Sequence, residues 1–227
     1  MNVLLFGATG MVGQGVLREC LLDPGVESVT TIGRTAPAAS SPKLHNIIHP
    51  DLFHYASIEP QVTGLDACFF CLGVSSAGMP EEQYEKMTYT LTVATGETLS
   101  RLNPGMTFVY VSGAATDSTE KGRVMWARVK GRTENALMRM PFKGAYMFRP
   151  GIIQPMHGEV SKTKAYRILY AVFKPLFPAM RALFPRHVLT TEQIGRAMIN
   201  VARRGAPKKI LEISDIAACA KSEPAGA

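Results

Sequence analysis

The chain has 227 residues, 46% of them hydrophobic and 19% charged, which is enough apolar material for one large domain with its own core. Its 20 glycines and 15 prolines are scattered rather than periodic, which excludes a collagen-like or low-complexity chain. The formal net charge of +7 is uneven, because residues 160–209 carry 11 Lys and Arg against the single acid Glu192, while residues 1–159 carry 13 against 14. That excess reads as a solvated basic face, and no zinc-finger or RNA-binding aromatic motif directs it toward nucleic acid.

The amino terminus, MNVLLFGATG, lacks the basic start and long apolar segment of a signal peptide. No run of about 18 apolar residues occurs anywhere, so the expectation is a soluble cytoplasmic protein. Cys20 and Cys219 are isolated, and Cys68 and Cys71 fall in the apolar run DACFFCLG. In a strand, residues three apart point to opposite faces, so this CxxC is not arranged to chelate zinc or to close a disulfide.

In chain order, strands are expected at 2–6, 28–32, 44–48, 67–72, 107–112 and 145–148, with helical apolar spacing over 11–22, 81–102 and 126–140. Thr190 or Thr191 should cap a last helix that ends near Gly205. The alternation implies an α/β fold with a doubly wound parallel sheet of the Rossmann type, covering about 1–215 as a single domain. A small C-terminal substrate-side lobe is expected at about 151–190, and residues 216–227 read as a loose tail.

The first strand runs into GATGMVG, with Gly7, Gly10 and Gly13 spaced GxxGxxG and Thr9, Met11 and Val12 between them, and then into a helix. Glycines there let backbone approach a pyrophosphate, while the helix N-terminus supplies free N–H groups and a favourable dipole. After the second strand the chain reads TTIGRT, with Arg34 where an NAD enzyme usually offers a carboxylate to the ribose 2′-hydroxyl. A guanidinium suits a 2′-phosphate, so NADP is favoured over NAD.

With these residues in hand, the chain resembles the atypical and extended short-chain dehydrogenases/reductases, the NAD-dependent epimerase/dehydratase-like group. GATGMVG is similar to the group's glycine motif, and Cys71, Leu72 and Gly73 in FFCLG look like its fourth-strand segment lining the cofactor. Ser112 in YVSGA matches its fifth-strand serine, and Lys130 in VKGRTE its helix lysine. FRPGIIQP, with Pro150 and Ile152, resembles its RPG segment. Among small single-domain members the chain is similar to the oxidoreductase-like Tat-interacting transcriptional cofactor family.

The resemblance implies a nicotinamide-dependent oxidoreductase or epimerase-like enzyme acting on a small, partly apolar carbonyl or hydroxyl compound. In that chemistry a tyrosine stands four residues before the lysine, on the same helix face. Here that position is Trp126, whose indole N–H donates a hydrogen bond but shuttles no proton. Lys130 could still meet the nicotinamide ribose, and Ser112 could still polarise a carbonyl.

Of the remaining acids, Tyr110 and Tyr146 sit in apolar strands, so His157 in QPMHGE is the candidate. His45, His49 and His54 surround a turn at Pro50, and no metal site is expected. A non-catalytic NADPH-binding regulator is the alternative function. Residues 162–188 mix large apolar and basic residues with three prolines. They read either as the substrate-side lobe, packed on the sheet or on a second subunit, or as a peripheral membrane contact.

Overall fold

The computed structural model describes residues 1–159 and 188–221. Strands β1 (Asn2–Phe6), β2 (Ser28–Gly33), β3 (Leu44–Ile48), β4 (Ala67–Phe70), β5 (Thr107–Val111), β6 (Gly144–Phe148) and β9 (Ile210–Leu211) form one sheet in the order β3-β2-β1-β4-β5-β6-β9. Every neighbouring pair in it is parallel, for example Leu4 beside Thr30 and Cys68. Helices α1 (Met11–Leu22), α2 (Glu81–Glu85), α3 (Leu91–Leu102), α4 (Met125–Arg139), α5 (Thr191–Arg204) and α6 (Ile213–Lys221) cover its faces. A separate pair, β7 (Ile152–Gln154) and β8 (Val188–Thr190), is also parallel.

The period of two along each strand builds two cores. Val3, Leu5, Phe69, Val109 and Phe148 join Val16 and Cys20 of α1 and Ile194, Met198 and Val201 of α5 on one face. Leu4, Phe6, Cys68, Phe70, Phe108 and Tyr110 join Leu91 and Leu99 of α3 and Leu137 of α4 on the other. Cys68 therefore belongs to one core while Cys71 packs against the other.

Helices α1 and α5 approach closely because two glycines face the contact. A Cβ on Gly15 would stand 2.5 Å from the Thr191 side chain, and one on Gly195 would stand 2.7 Å from that of Glu19. The buried Glu19 carboxylate accepts from Arg18 (2.5 Å) and Arg196 (3.0 Å), so the crossing is charge-paired as well as tight. Thr190 caps α5 through a complete capping box with Gln193, and Gly205 closes it at a φ of +75°.

The expected strands and helices lie where periodicity put them, with local corrections. The fourth strand stops at Phe70 rather than residue 72, and the 81–102 stretch is divided by a π-turn at Lys86–Thr90. The loose tail expected from residue 216 is corrected, because α6 runs to Lys221, with Ile216 fully buried and Asn200 donating to the Cys219 carbonyl. Strands β7, β8 and β9 are two or three residues long, too short to carry a sequence period. The lobe and membrane readings of 162–187 lie outside the described residues.

Candidate functional site

The glycine turn follows β1 and meets the exit of β4, the neighbouring strand. Gly7 has a φ of +78°, and a Cβ there would stand 2.7 Å from the backbone of Cys71 and Leu72. A Cβ on Gly13 would stand 2.0 Å from the Gly7 carbonyl oxygen. The turn is thus pressed against the exit of β4, where the Cys71 amide donates to the Phe6 carbonyl (3.0 Å).

Gly10 is the N-cap of α1, with no capping side chain and no acidic residue in the first turn. The amides of Met11, Val12 and Gly13 consequently have no partner within the helix and point out of its N-terminus. Such a turn, cleared of side chains by Gly7, Gly10 and Gly13, fits a pyrophosphate. Thr9 is tied to the helix by Gln14, whose side-chain amide donates to its carbonyl at 3.1 Å. Arg34 is exposed just past the end of β2, and the crossover that follows it, residues 34–43, contains no helix.

At the ends of β5 and β6 the structure brings Ser112 and Lys130 together. The Lys130 Nζ donates to the Ser112 carbonyl at 3.1 Å and to that of Val111 at 3.5 Å, and it lies 5.4 Å from the centre of the Tyr110 ring. Burial pulls its pKa down to about 8, opposed by the carboxylate of Glu134 one turn along α4. The buried Ser112 hydroxyl pairs with that of Thr116 at 2.9 Å. The Ser112 amide donates to Phe148 and that of Ala114 to Pro150, which lays the RPG segment alongside the loop after β5. Gly73 follows the exit of β4, and Ile152 is 43% exposed where β7 begins.

Trp126 is half-buried one turn before Lys130, and its ring stands 3.9 Å from where a Gly113 side chain would begin. The indole therefore overlies the backbone next to Ser112. Burial raises the Tyr110 phenol well above its usual range, so it stays protonated. Tyr146 is buried in β6. The thiols of Cys68 and Cys71 are likewise pushed up by burial.

His157 lies elsewhere. It lines an open groove of about 670 Å³ with Ala8, Thr9, Gln14, Arg18 and Thr35, and the lining includes neither Ser112 nor Lys130. Its Nε2 stands 3.6 Å from the Glu192 carboxylate, and its amide donates to Glu159 at 2.7 Å. His54 pairs with Asp51, and His49 with the His54 carbonyl. Among the described residues no cluster of His, Cys, Asp or Glu is arranged to hold a metal, and no helix is long and apolar enough to cross a membrane.

Sequence reasoning missed Arg149 and Glu134. The Arg149 guanidinium meets the fully buried Glu134 carboxylate through two hydrogen bonds (3.0 and 2.5 Å) and donates to Ser118 (2.6 Å) and Glu212 (3.3 Å). The available signal was an acid one helical turn past Lys130 and a base at the end of an apolar strand.

No protein-family model matches the chain. Among solved structures it is similar to the Bordetella bronchiseptica enzyme WbmF in complex with NAD+, with a TM-score of 0.68 and 16% identity over 96% of this chain and 76% of that one. It is also similar to DesIV, a dTDP-glucose 4,6-dehydratase from Streptomyces venezuelae with NAD bound, with a TM-score of 0.68 and 14% identity over 94% of this chain and 75% of that one. The fold is therefore that of NAD-dependent epimerase and dehydratase enzymes.

By sequence the chain is 30% identical to the mitochondrial protein fmp52 of Emericella nidulans over 75% of this chain and 74% of that protein. It is 27% identical to the mitochondrial fmp52-2 of Aspergillus terreus over 96% of each. These mitochondrial names overturn the cytoplasmic location expected above, which rested on composition alone, a weak guide to compartment. At this identity and coverage, the chain belongs to the Fmp52 family.

Proposed function

We propose that the chain binds a nicotinamide dinucleotide across the ends of β1, β4, β5 and β6 and acts as an oxidoreductase or epimerase-like enzyme. Its substrate is a small, partly apolar carbonyl or hydroxyl compound. The glycine turn supports this most strongly, because Gly7, Gly10 and Gly13 clear a helix N-terminus that has no capping side chain and no acid in its first turn.

In this reading Thr9, Met11 and Val12 complete the pyrophosphate cradle, and Arg34 meets a 2′-phosphate and favours NADP(H). Cys71, Leu72 and Gly73 line the dinucleotide, Lys130 holds the nicotinamide ribose, and Pro150 and Ile152 border the nicotinamide. The bound nicotinamide supplies the hydride. Ser112 polarises the substrate carbonyl, and Lys130, titrating near pH 8, is the group that exchanges a proton. The acid role expected of His157 draws no support from its contacts, which are with Glu192 and Glu159. The narrower kinship to the Tat-interacting cofactor family is likewise a proposal.

A second reading, a non-catalytic NADPH-binding regulator, draws support from the Trp126 ring lying over Gly113, where it occupies space a substrate would need. Titration with NADPH and NADH, followed through the single tryptophan, tests both. Tight NADPH binding that quenches Trp126 is expected, and binding of neither nucleotide would overturn both readings. Turnover of carbonyl substrates by the NADPH-bound protein then separates enzyme from regulator.

A further inference from the structure

The buried pair Arg149–Glu134 is the most thoroughly satisfied charge cluster among the described residues, and four segments meet in it. Glu134 comes from α4, Arg149 from the end of β6, Ser118 from the loop after β5 and Glu212 from the turn after β9. The loop bearing Ser118 is also packed onto α4 beside Lys130. A Cβ on Gly131 would stand 1.8 Å from the Asp117 carbonyl oxygen, and the Asp117 amide donates to the Ala127 carbonyl at 3.1 Å. These ties of α4 to the ends of β5 and β6 lie within about one helical turn of Lys130, and Asn135 adds hydrogen bonds to Ser118 and Glu120 further along the helix.

We infer that Glu134 and Arg149 are positioning residues for Lys130, holding its ammonium against the Ser112 carbonyl and setting the charge it carries where the nucleotide binds. The inference rests on the proposed reading of Lys130 as the group that meets the nicotinamide ribose. Among the described residues few charges face Lys130. Tyr110 of β5 presents its ring and stays protonated, with Tyr84 of α2 near its hydroxyl. The Asp117 carboxylate is taken up by Thr119 and by the amide of Gly122. That leaves the Glu134 carboxylate, which favours the charged ammonium and is itself paired with the Arg149 guanidinium.

A device of this kind predicts opposite responses to loss of its two halves. Glu134→Gln removes the favourable charge and leaves the guanidinium uncompensated, so Lys130 becomes harder to protonate. Arg149→Gln leaves the carboxylate uncompensated, so Lys130 becomes easier to protonate. A purely structural tie would give one common defect in both variants.

The test is a pH titration of ¹³C-dimethylated lysines by NMR in the nucleotide-free protein, with the Lys130 resonance assigned through Lys130→Arg. The Lys130 midpoint should fall by about one pH unit in Glu134→Gln and rise by about as much in Arg149→Gln. Shifts in the same direction, or no shift in either, would overturn the inference. If a single variant does not fold, the exchange Glu134→Arg with Arg149→Glu keeps the ion pair but reverses its polarity, and it should lower the midpoint by more than Glu134→Gln would. An unchanged midpoint there overturns the inference as well. No nucleotide enters these measurements. A chain that binds neither NADH nor NADPH yet shows opposite shifts refutes the proposed function alone, and one that binds them without such shifts refutes the positioning role alone.

Discussion

Replacing Gly13 with alanine separates the structural from the ligand-binding role of the glycine turn. The added methyl would stand 2.0 Å from the Gly7 carbonyl oxygen and 2.6 Å from its carbon, where ordinary contact begins at 3.4 Å. Both atoms are backbone, so no side chain can rotate away, and α1 must retreat from the turn by about an ångström or more. Overpacking of this kind costs about 3 kcal/mol, at the upper end of its usual range. For a chain of this size that lowers the melting temperature by roughly 6–12 °C.

Gly10→Ala is the control. Its Cβ would meet the Gly7 oxygen at 3.3 Å and its φ of −87° suits any residue, so the cost in stability stays below about 1 kcal/mol. That methyl instead stands at the helix N-cap beside the amides offered to the pyrophosphate, and should weaken NADPH binding roughly tenfold or more. Thermal melting and fluorescence titration of both variants give the comparison. A Gly13→Ala protein melting within about 2 °C of the parent would refute the close-contact argument, and a Gly10→Ala protein that binds NADPH as tightly as the parent would refute the cradle.

Lys130→Met should abolish nucleotide binding while raising stability at pH 7 by at most about 3 kcal/mol, because the ammonium is held below its unfolded pKa. Between about pH 8 and 10.5 the unfolded chain binds a proton that the folded chain does not, so parent stability rises with pH across that window; urea melts of Lys130→Met should lack this rise. Trp126→Tyr places a phenol one turn from Lys130 and should raise NADPH-dependent carbonyl reduction about a hundredfold or more over Trp126→Phe; equal rates in the two would remove the argument that the scaffold lacks only its acid. Thr190→Ala breaks the capping box of α5 and should cost about 1 kcal/mol, read as a melting shift of roughly 2–4 °C with nucleotide affinity unchanged.

Much of the fold was legible because its signals are local. Val3 and Leu5 alternate with Leu4 and Phe6, and that alternation assigns the two faces of β1 before any packing is known. Gly7, Gly10 and Gly13 announce a turn too tight for side chains, and Thr190 with Gln193 announces a helix start. Trp126 and Lys130 are one helical turn apart in any α-helix, so their shared face follows from spacing alone.

What spacing could not supply is contact between distant segments. His157 follows the RPG segment closely in sequence, yet the chain carries it to the groove beside Thr9 and Gln14 and sets it against Glu192. The Arg149–Glu134 pair joins residues 15 apart with partners at Ser118 and Glu212, and a pair in the sequence does not declare that it is buried. Nor could the sequence assign Lys130 its proton affinity, which depends on the dielectric around it and on one carboxylate. The amino-acid order determined the parallel sheet, the glycine turn and the shared helix face of Trp126 and Lys130, because backbone periodicity and steric clearance act over a few residues. Only the tertiary structure decided which titratable groups meet, because burial and charge act through space rather than along the chain.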